Sequence, residues 1–160
     1  MSRGLTVKVT TTVPRPRDEV FDHAAAMRPE ALVQRRGPMP GIVRAEGAIP
    51  YTAVGDIRTL SMSDGNTLTE TLTAIEPPSR YAYTVSSFAG WFAALATAAD
   101  TTWFFEEADG ATTVTWQVEF IPNGTAGRLF LPFVVQSFWP GFMAASLDRL
   151  KTSLTEDVTA

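Results

Sequence analysis

Residues 55–88 constrain the fold more than any other part of the chain, because they read as three consecutive antiparallel strands. Ser63-Asp64-Gly65 marks the first reversal and Glu76-Pro77-Pro78-Ser79 the second. The middle strand alternates cleanly, with Leu68, Glu70 and Leu72 on one face and Thr67, Thr69, Thr71 and Thr73 on the other. A carboxylate therefore stands on a face that is otherwise apolar. A charge on a core face needs a partner, water or a ligand.

Hairpin register decides the partner. If Ser63-Asp64-Gly65 is a three-residue loop with Gly65 in the left-handed region, Arg58 lies opposite Glu70 and Leu60 opposite Leu68. A two-residue Asp-Gly turn instead pairs Thr59 with Glu70. The first register gathers Arg58, Leu60, Met62, Leu68, Glu70 and Leu72 on one face, and a slip by one residue splits that set. An orientation with Arg58 on the convex surface stays open.

The same alternation predicts a strand over Leu5–Val13, ended by Pro14 and Pro16. A short helix follows over about 16–26, with Asp18 and Glu19 in its first turn and Val20, Phe21 and Ala24 as its buried stripe. A second helical turn is expected near 30–34, and Gly37-Pro38-Met39-Pro40-Gly41 forces an irregular link. Strands are expected over 42–47 and 55–62, and a later hairpin over 98–106 and 112–121 around Asp109-Gly110. From about Ala126 to the end the period becomes helical: Trp139, Met143, Leu147, Leu150 and Leu154 recur at spacings of three and four. Pro132 and Pro140 are expected to break or kink the start of this helix.

Strands followed by one long helix imply an α+β domain spanning 1–160, with an antiparallel sheet that has one large element to cover its inner face. A strongly curved sheet gripping that helix is the natural solution, and it leaves a concavity suited to apolar ligands. Hydrophobic content of 45% and charged content of 19% are ordinary for a domain of 160 residues. No cysteine is present, which excludes disulfides and thiol chemistry. The net charge of −4 argues against nucleic-acid binding. The polar N-terminus does not read as a signal peptide, and no apolar run reaches the roughly 18 residues of a spanning helix. These features fit a cytoplasmic protein without stable membrane insertion, either monomer or homodimer.

The order of elements resembles the START-like superfamily, also called SRPBCC or birch-pollen-allergen-like, with its helix-grip fold. The residues that carry the resemblance are Val13-Pro14 with Val20-Phe21, Gly55-Asp56-Ile57-Arg58, and Asp64-Gly65 with Glu70. Glu76-Pro77-Pro78-Ser79-Arg80-Tyr81, Thr102-Trp103-Phe104-Phe105, Gly110-Ala111-Thr112-Thr113-Val114 and the final helix complete it. The pattern is most similar to the polyketide cyclase/dehydrase-like branch. The resemblance implies a hydrophobic cavity and a small organic ligand, polyketide-like or lipid-like, but not one reaction.

Candidate chemistry centres on Arg58, Glu70 and Tyr83. In one reading Arg58 binds a ligand carbonyl or enolate, Glu70 accepts a proton and a pocket tyrosine donates. In the plainer reading Arg58 and Glu70 form an ion pair that fixes the sheet. Leu60, Leu68, Trp103, Phe105, Trp116, Phe138, Trp139, Phe142 and Met143 are the candidate ligand-binding residues, with core packing as the plainer role of each aromatic. His23, the single histidine, is expected on the exposed side of the first helix. With one histidine and no cysteine a zinc site is not expected, nor is any cofactor. The apolar segment from Phe88 to Leu95 is either strand and core or a lid at a cavity mouth, with residues 124–132 as the other lip. Three functions remain open: a polyketide cyclase or dehydratase of natural-product biosynthesis, a carrier or sensor of a lipid or apolar metabolite, and a stress-type domain that acts through a protein partner.

Overall fold

The alternating segments become seven strands in a computed structural model that describes residues 4–156. They are β1 (Leu5–Val13), β2 (Ile42–Gly47), β3 (Ile57–Met62), β4 (Thr67–Glu76), β5 (Arg80–Ser86), β6 (Ala96–Ala108) and β7 (Ala111–Pro122). Helices α1 (Arg17–Ala26) and α2 (Pro29–Leu32) follow β1, α3 (Gly90–Ala93) joins β5 to β6, and α4 (Gly124–Glu156) follows β7. The sheet is antiparallel in the order β1-β7-β6-β5-β4-β3-β2 and curves around α4, a helix-grip α+β architecture. The expected helix to the chain end reaches Glu156; its last four residues lie outside the described ones.

Turn chemistry sets the registers. Met62 N–H donates to the Asn66 carbonyl at 2.8 Å, so Ser63-Asp64-Gly65 is a three-residue loop, with Gly65 at φ +90°. Arg58 therefore faces Glu70, and Leu60 faces Leu68. Asp109 and Gly110 both have positive φ, 54° and 78°, as a tight two-residue hairpin requires. A bulge between Leu72 and Ala74 shifts β4 by one residue, so that Leu72 and Ile75 pair with Tyr83 and Tyr81 on the same face. That bulge ends the simple alternation of the sequence.

These registers align side chains in rows across the concave face. One row runs Arg58, Glu70, Val85, Ala99 and Phe120; the next runs Leu72, Tyr83, Thr101 and Val118; the third runs Tyr81, Trp103 and Trp116. Leu131, Val135, Met143, Leu147, Leu150 and Leu154 of α4 are buried in the same core. The helix continues through Pro132 and Pro140 without the expected break. Each proline removes one backbone donor, and burial of Leu131 and Val135 outweighs that loss.

By length and composition alone, α4 contains an 18-residue window apolar enough to cross a membrane, with mean hydropathy 1.3. The scattered Pro, Gly, Ser and Gln residues hid it from a search for an unbroken apolar run. In this fold one face of α4, from Leu131 to Leu154, is buried in the core, whereas Leu129, Phe130 and Phe133 near its start are exposed.

One close approach anchors the start of α4. The Leu95 carbonyl accepts from Asn123 N–H at 2.8 Å, and a Cβ added at Gly127 would fall inside the contact distance of that same oxygen. Helix propensity favours alanine over glycine by about 1 kcal/mol, but overpacking against fixed backbone costs roughly 1–3 kcal/mol. Gly127→Ala is therefore expected to destabilise the protein by about 1 kcal/mol. An unchanged or raised unfolding midpoint in urea would show that α4 is free to back away.

Candidate functional site

Between the concave face, α3 and α4 lies a cavity of about 430 Å³. That is within the roughly 300–1,000 Å³ of small-molecule sites. Space exists because the sheet carries small side chains, Ala99 and Val85, in the row between Glu70 and Phe120. Glu70, Tyr83, Thr101 and Trp116 give the sheet wall its polar atoms. Phe88 and Phe92 close one side and Trp139 and Phe142 of α4 another. Phe92 stacks on Trp139 with ring centroids 5.1 Å apart, and the segment from Phe88 to Leu95 carries the short helix α3 rather than a continuous strand. Trp91 beside it lines the cavity yet is 64% exposed, which puts an aromatic at the mouth.

Glu70 also belongs to a buried polar cluster. It is 6% exposed, and its Oε2 accepts a hydrogen bond from the Tyr51 hydroxyl at 2.8 Å. Arg58 Nη1 lies 3.9 Å from the same oxygen, an electrostatic contact longer than a hydrogen bond. The Arg58 guanidinium stacks on the Tyr51 ring, 3.7 Å from its centroid, and its Nε donates to the Ala48 carbonyl at 2.7 Å. Arg58 Nη2 is buried without a partner in the protein. Burial raises the Glu70 pKa above the ordinary carboxylate value, against the smaller opposing effects of the Tyr51 hydrogen bond and the Arg58 charge. Burial and the neighbouring Glu70 push Tyr83 well above its usual value, so its hydroxyl keeps its proton. That hydroxyl accepts from Trp103 Nε1 at 3.3 Å, which leaves its own O–H free to donate.

The sequence-derived residues divide at this wall. Glu70, Tyr83, Leu60, Leu68, Trp116, Trp139 and Phe142 line the cavity. Arg58 does not, because its guanidinium turns toward Ala48 and lies against Tyr51. Trp103 and Phe105 pack beneath the lining, in a stack with Tyr81. Met143 is buried in the helix core, and Phe138 is 38% exposed. His23 is not solvated as expected: its Nε2 lies 2.7 Å from Ser153 Oγ on α4. Sequence reasoning missed Tyr51, Thr101 and the Pro38-Met39-Pro40 edge of the cavity. Thr101 carried a signal, since alternation places it on the face of Trp103 and Phe105; Tyr51 lies outside any strand and carried none. Among the described residues no group of three or more His, Asp or Glu side chains is placed to hold a metal ion.

The raised Glu70 pKa has a sign that can be checked. The folded state holds this proton to higher pH than the unfolded chain, so its contribution to stability falls as pH rises from the ordinary carboxyl value through the raised one. Glu70→Gln lacks that titration. The difference in melting temperature, variant minus wild type, is therefore expected to grow more positive as pH rises from the ordinary carboxyl range through the raised Glu70 pKa. A difference independent of pH would show that Glu70 ionises normally.

A curved antiparallel sheet closed on one long helix around a largely apolar cavity defines a helix-grip fold. The chain belongs to the family described as polyketide cyclase / dehydrase and lipid transport, whose model matches residues 5–155. Among curated proteins none matches in sequence. The fold is similar to that of Ara h 8.0201, with a TM-score of 0.61, 19% identity, and coverage of 91% of this chain and 97% of that one. It is also similar to the di-domain ARO/CYC StfQ from the steffimycin biosynthetic pathway, with a TM-score of 0.73, 11% identity and coverage of 99% of this chain. The di-domain ARO/CYC BexL from the BE-7585A biosynthetic pathway gives a TM-score of 0.64, 15% identity and coverage of 95% of this chain. This chain spans about half of each di-domain protein, 53% of StfQ and 51% of BexL.

Proposed function

We propose that this chain acts as a single cytoplasmic domain that binds a small hydrophobic organic molecule in its cavity and catalyses cyclisation or dehydration of a polyketide-like substrate without a cofactor. One observation carries the reading: a carboxyl with a raised pKa, Glu70, and a protonated phenol, Tyr83, stand on one wall of a largely apolar cavity. The family description and the two ARO/CYC relatives support it.

The chemistry follows from those two groups. A flexible polyketone folds into the cavity, which holds its reacting carbons together. Ionised Glu70 takes a proton from a methylene between two carbonyls, and the Tyr83 O–H donates a hydrogen bond to the enolate oxygen. The enolate carbon attacks a second carbonyl of the same molecule, and the new alkoxide recovers the proton from Glu70. Dehydration repeats the first step: Glu70 removes a carbon-bound proton and returns it to the departing hydroxyl, which leaves as water. Arg58 touches no substrate in this scheme; it positions Glu70 through Tyr51.

A carrier or sensor of an apolar metabolite is the second reading, favoured by the largely apolar lining and the exposed Trp91 at the mouth. Native mass spectrometry of protein purified from its host separates the two. The enzyme reading expects a retained oxygen-rich polyketide-like mass, the carrier reading a lipid mass. Ala99→Phe fills the space between Val85 and Phe120, and the retained mass is expected to fall at least tenfold while stability holds or rises by about 1 kcal/mol. Retention unchanged in Ala99→Phe, or nothing retained by the wild type, would count against ligand binding in this cavity.

A further inference from the structure

We infer that the outward face of α4, near its start, docks on anionic lipid bilayers as a reversible peripheral contact. The contact goes beyond the ligand reading and holds whether the cavity serves an enzyme or a carrier.

A spacing of four builds the surface. Leu129, Phe133, Ser137 and Gly141 succeed one another on one side of α4, a stripe about 18 Å long at the rise of a helix. Phe130 stands beside it. Leu129 is 67% exposed, Phe130 60% and Phe133 74%, whereas Gly127, Leu131 and Val135 on the opposite side of the same turns are buried. Only 28% of the apolar window in α4 is buried in the protein, so core packing does not account for its composition. A lone exposed apolar residue needs no explanation, but three large ones in adjacent positions mark a contact surface. Asn123 ties this end of α4 to α3: its N–H donates to the Leu95 carbonyl, and its Nδ2 donates to the Ala93 carbonyl at 2.9 Å. The helix α3 carries exposed Trp91, so the stripe and the cavity mouth adjoin.

Charge selects the occupant. Residues 124–147 contain one charged side chain, Arg128, and residues 85–99 contain none. Arg36, in the link between α2 and β2, lies at the far end of the stripe, where a Cβ added at Gly141 would be 3.6 Å from its Nε. Arg36 and Arg128 are both exposed, and neither pairs with a carboxylate among the described residues. A chain of net charge −4 thus presents an apolar stripe between two cations, with no acid on that stretch of helix. Anionic headgroups supply the missing countercharge while Leu129, Phe130 and Phe133 enter the acyl boundary. A second copy of the chain does not, because two such faces would bring together the arginines of both and no acid. Side chains projecting from a convex helix also enter a fluid interface without a matching groove.

Co-sedimentation of the full chain with vesicles tests this, using phosphatidylcholine alone and phosphatidylcholine with phosphatidylglycerol. Binding is expected to be at least tenfold stronger on the anionic vesicles and to fall several-fold between about 0.1 and 0.5 M NaCl. Arg128→Gln should weaken anionic binding about fivefold, the worth of one cation near the surface, and leave the neutral vesicles unaffected. Leu129→Ser combined with Phe133→Ser should lower binding at least tenfold at an unchanged melting temperature, since both side chains are already exposed in the folded protein. No binding to anionic vesicles, or binding that the double serine variant retains, would overturn the assignment. Equal binding to neutral and anionic vesicles would overturn the charge selection. A wild-type dimer in sedimentation velocity, lost in the double serine variant and without vesicle binding, would give this face to a second copy instead. None of these results bears on ligand retention in the cavity, so the two readings fail separately.

Discussion

Replacing Arg58 with methionine is expected to cost about 3 kcal/mol of folding stability, equivalent to roughly 6–12 °C in melting temperature for a chain of this size. Breaking a buried ion pair from one side usually costs about 3–5 kcal/mol, because the remaining charge loses its compensation. The lower end applies here for two reasons. The pair is loose at 3.9 Å, and Arg58 Nη2 already lacks a partner, so the wild type does not hold an ideal bridge. Against that stand the guanidinium stacked on Tyr51 and the hydrogen bond to Ala48, both lost in methionine.

The cost should also depend on pH. Without Arg58 the Glu70 carboxyl loses a charge that lowers its pKa, so the folded state binds its proton more firmly still. Stability of the variant then falls further as pH rises, and its deficit is smallest in acid. Arg58→Met combined with Glu70→Gln leaves no buried charge in this cluster and is expected to recover most of the loss. Urea unfolding of the four proteins of that cycle gives the coupling directly. Strict additivity of the two substitutions would mean that the pair does not interact.

The sequence already contained much of this arrangement, for a definite reason. Strand alternation and turn residues are local signals, and they placed β3 and β4 in the register that puts Arg58 opposite Glu70. Spacing of Met143, Leu147, Leu150 and Leu154 likewise announced the buried face of α4. Where an arginine head group points is a different matter. Arg58 has a long stem, and the Ala48 carbonyl and Tyr51 hold its head group away from the cavity; both lie outside the strands, where no period predicts contact. Trp103 and Trp116 pair directly, yet only Trp116 lines the cavity, because packing against Tyr81 and Tyr83 rather than strand phase decides which ring is covered. The proline-rich link failed for the same reason. Its turns were legible, but not its position against the cavity beside Leu60 and Met62.

Glu70→Gln should separate an enzyme from a carrier. Loss of a general base typically lowers turnover by about 10²–10⁴, and the amide keeps the shape of the wall, so affinity for the substrate should stay within about threefold. Assayed on a linear poly-β-ketone thioester, the wild-type rate is expected to rise with pH through a limb set above the ordinary carboxyl range, since only ionised Glu70 takes the proton and burial raises its pKa. The glutamine variant should lack that limb. Tyr83→Phe provides the complementary test: it removes the hydroxyl that would donate to the enolate, at a cost of about 10²–10³ in turnover, without removing the base or its pH limb. A shared structural defect would lower binding and rate together in both variants. Normal folding, normal binding and undiminished turnover in Glu70→Gln would remove Glu70 from the chemistry. The carboxyl would then be a buried partner of Tyr51 and Arg58, and the cavity a container rather than a catalyst.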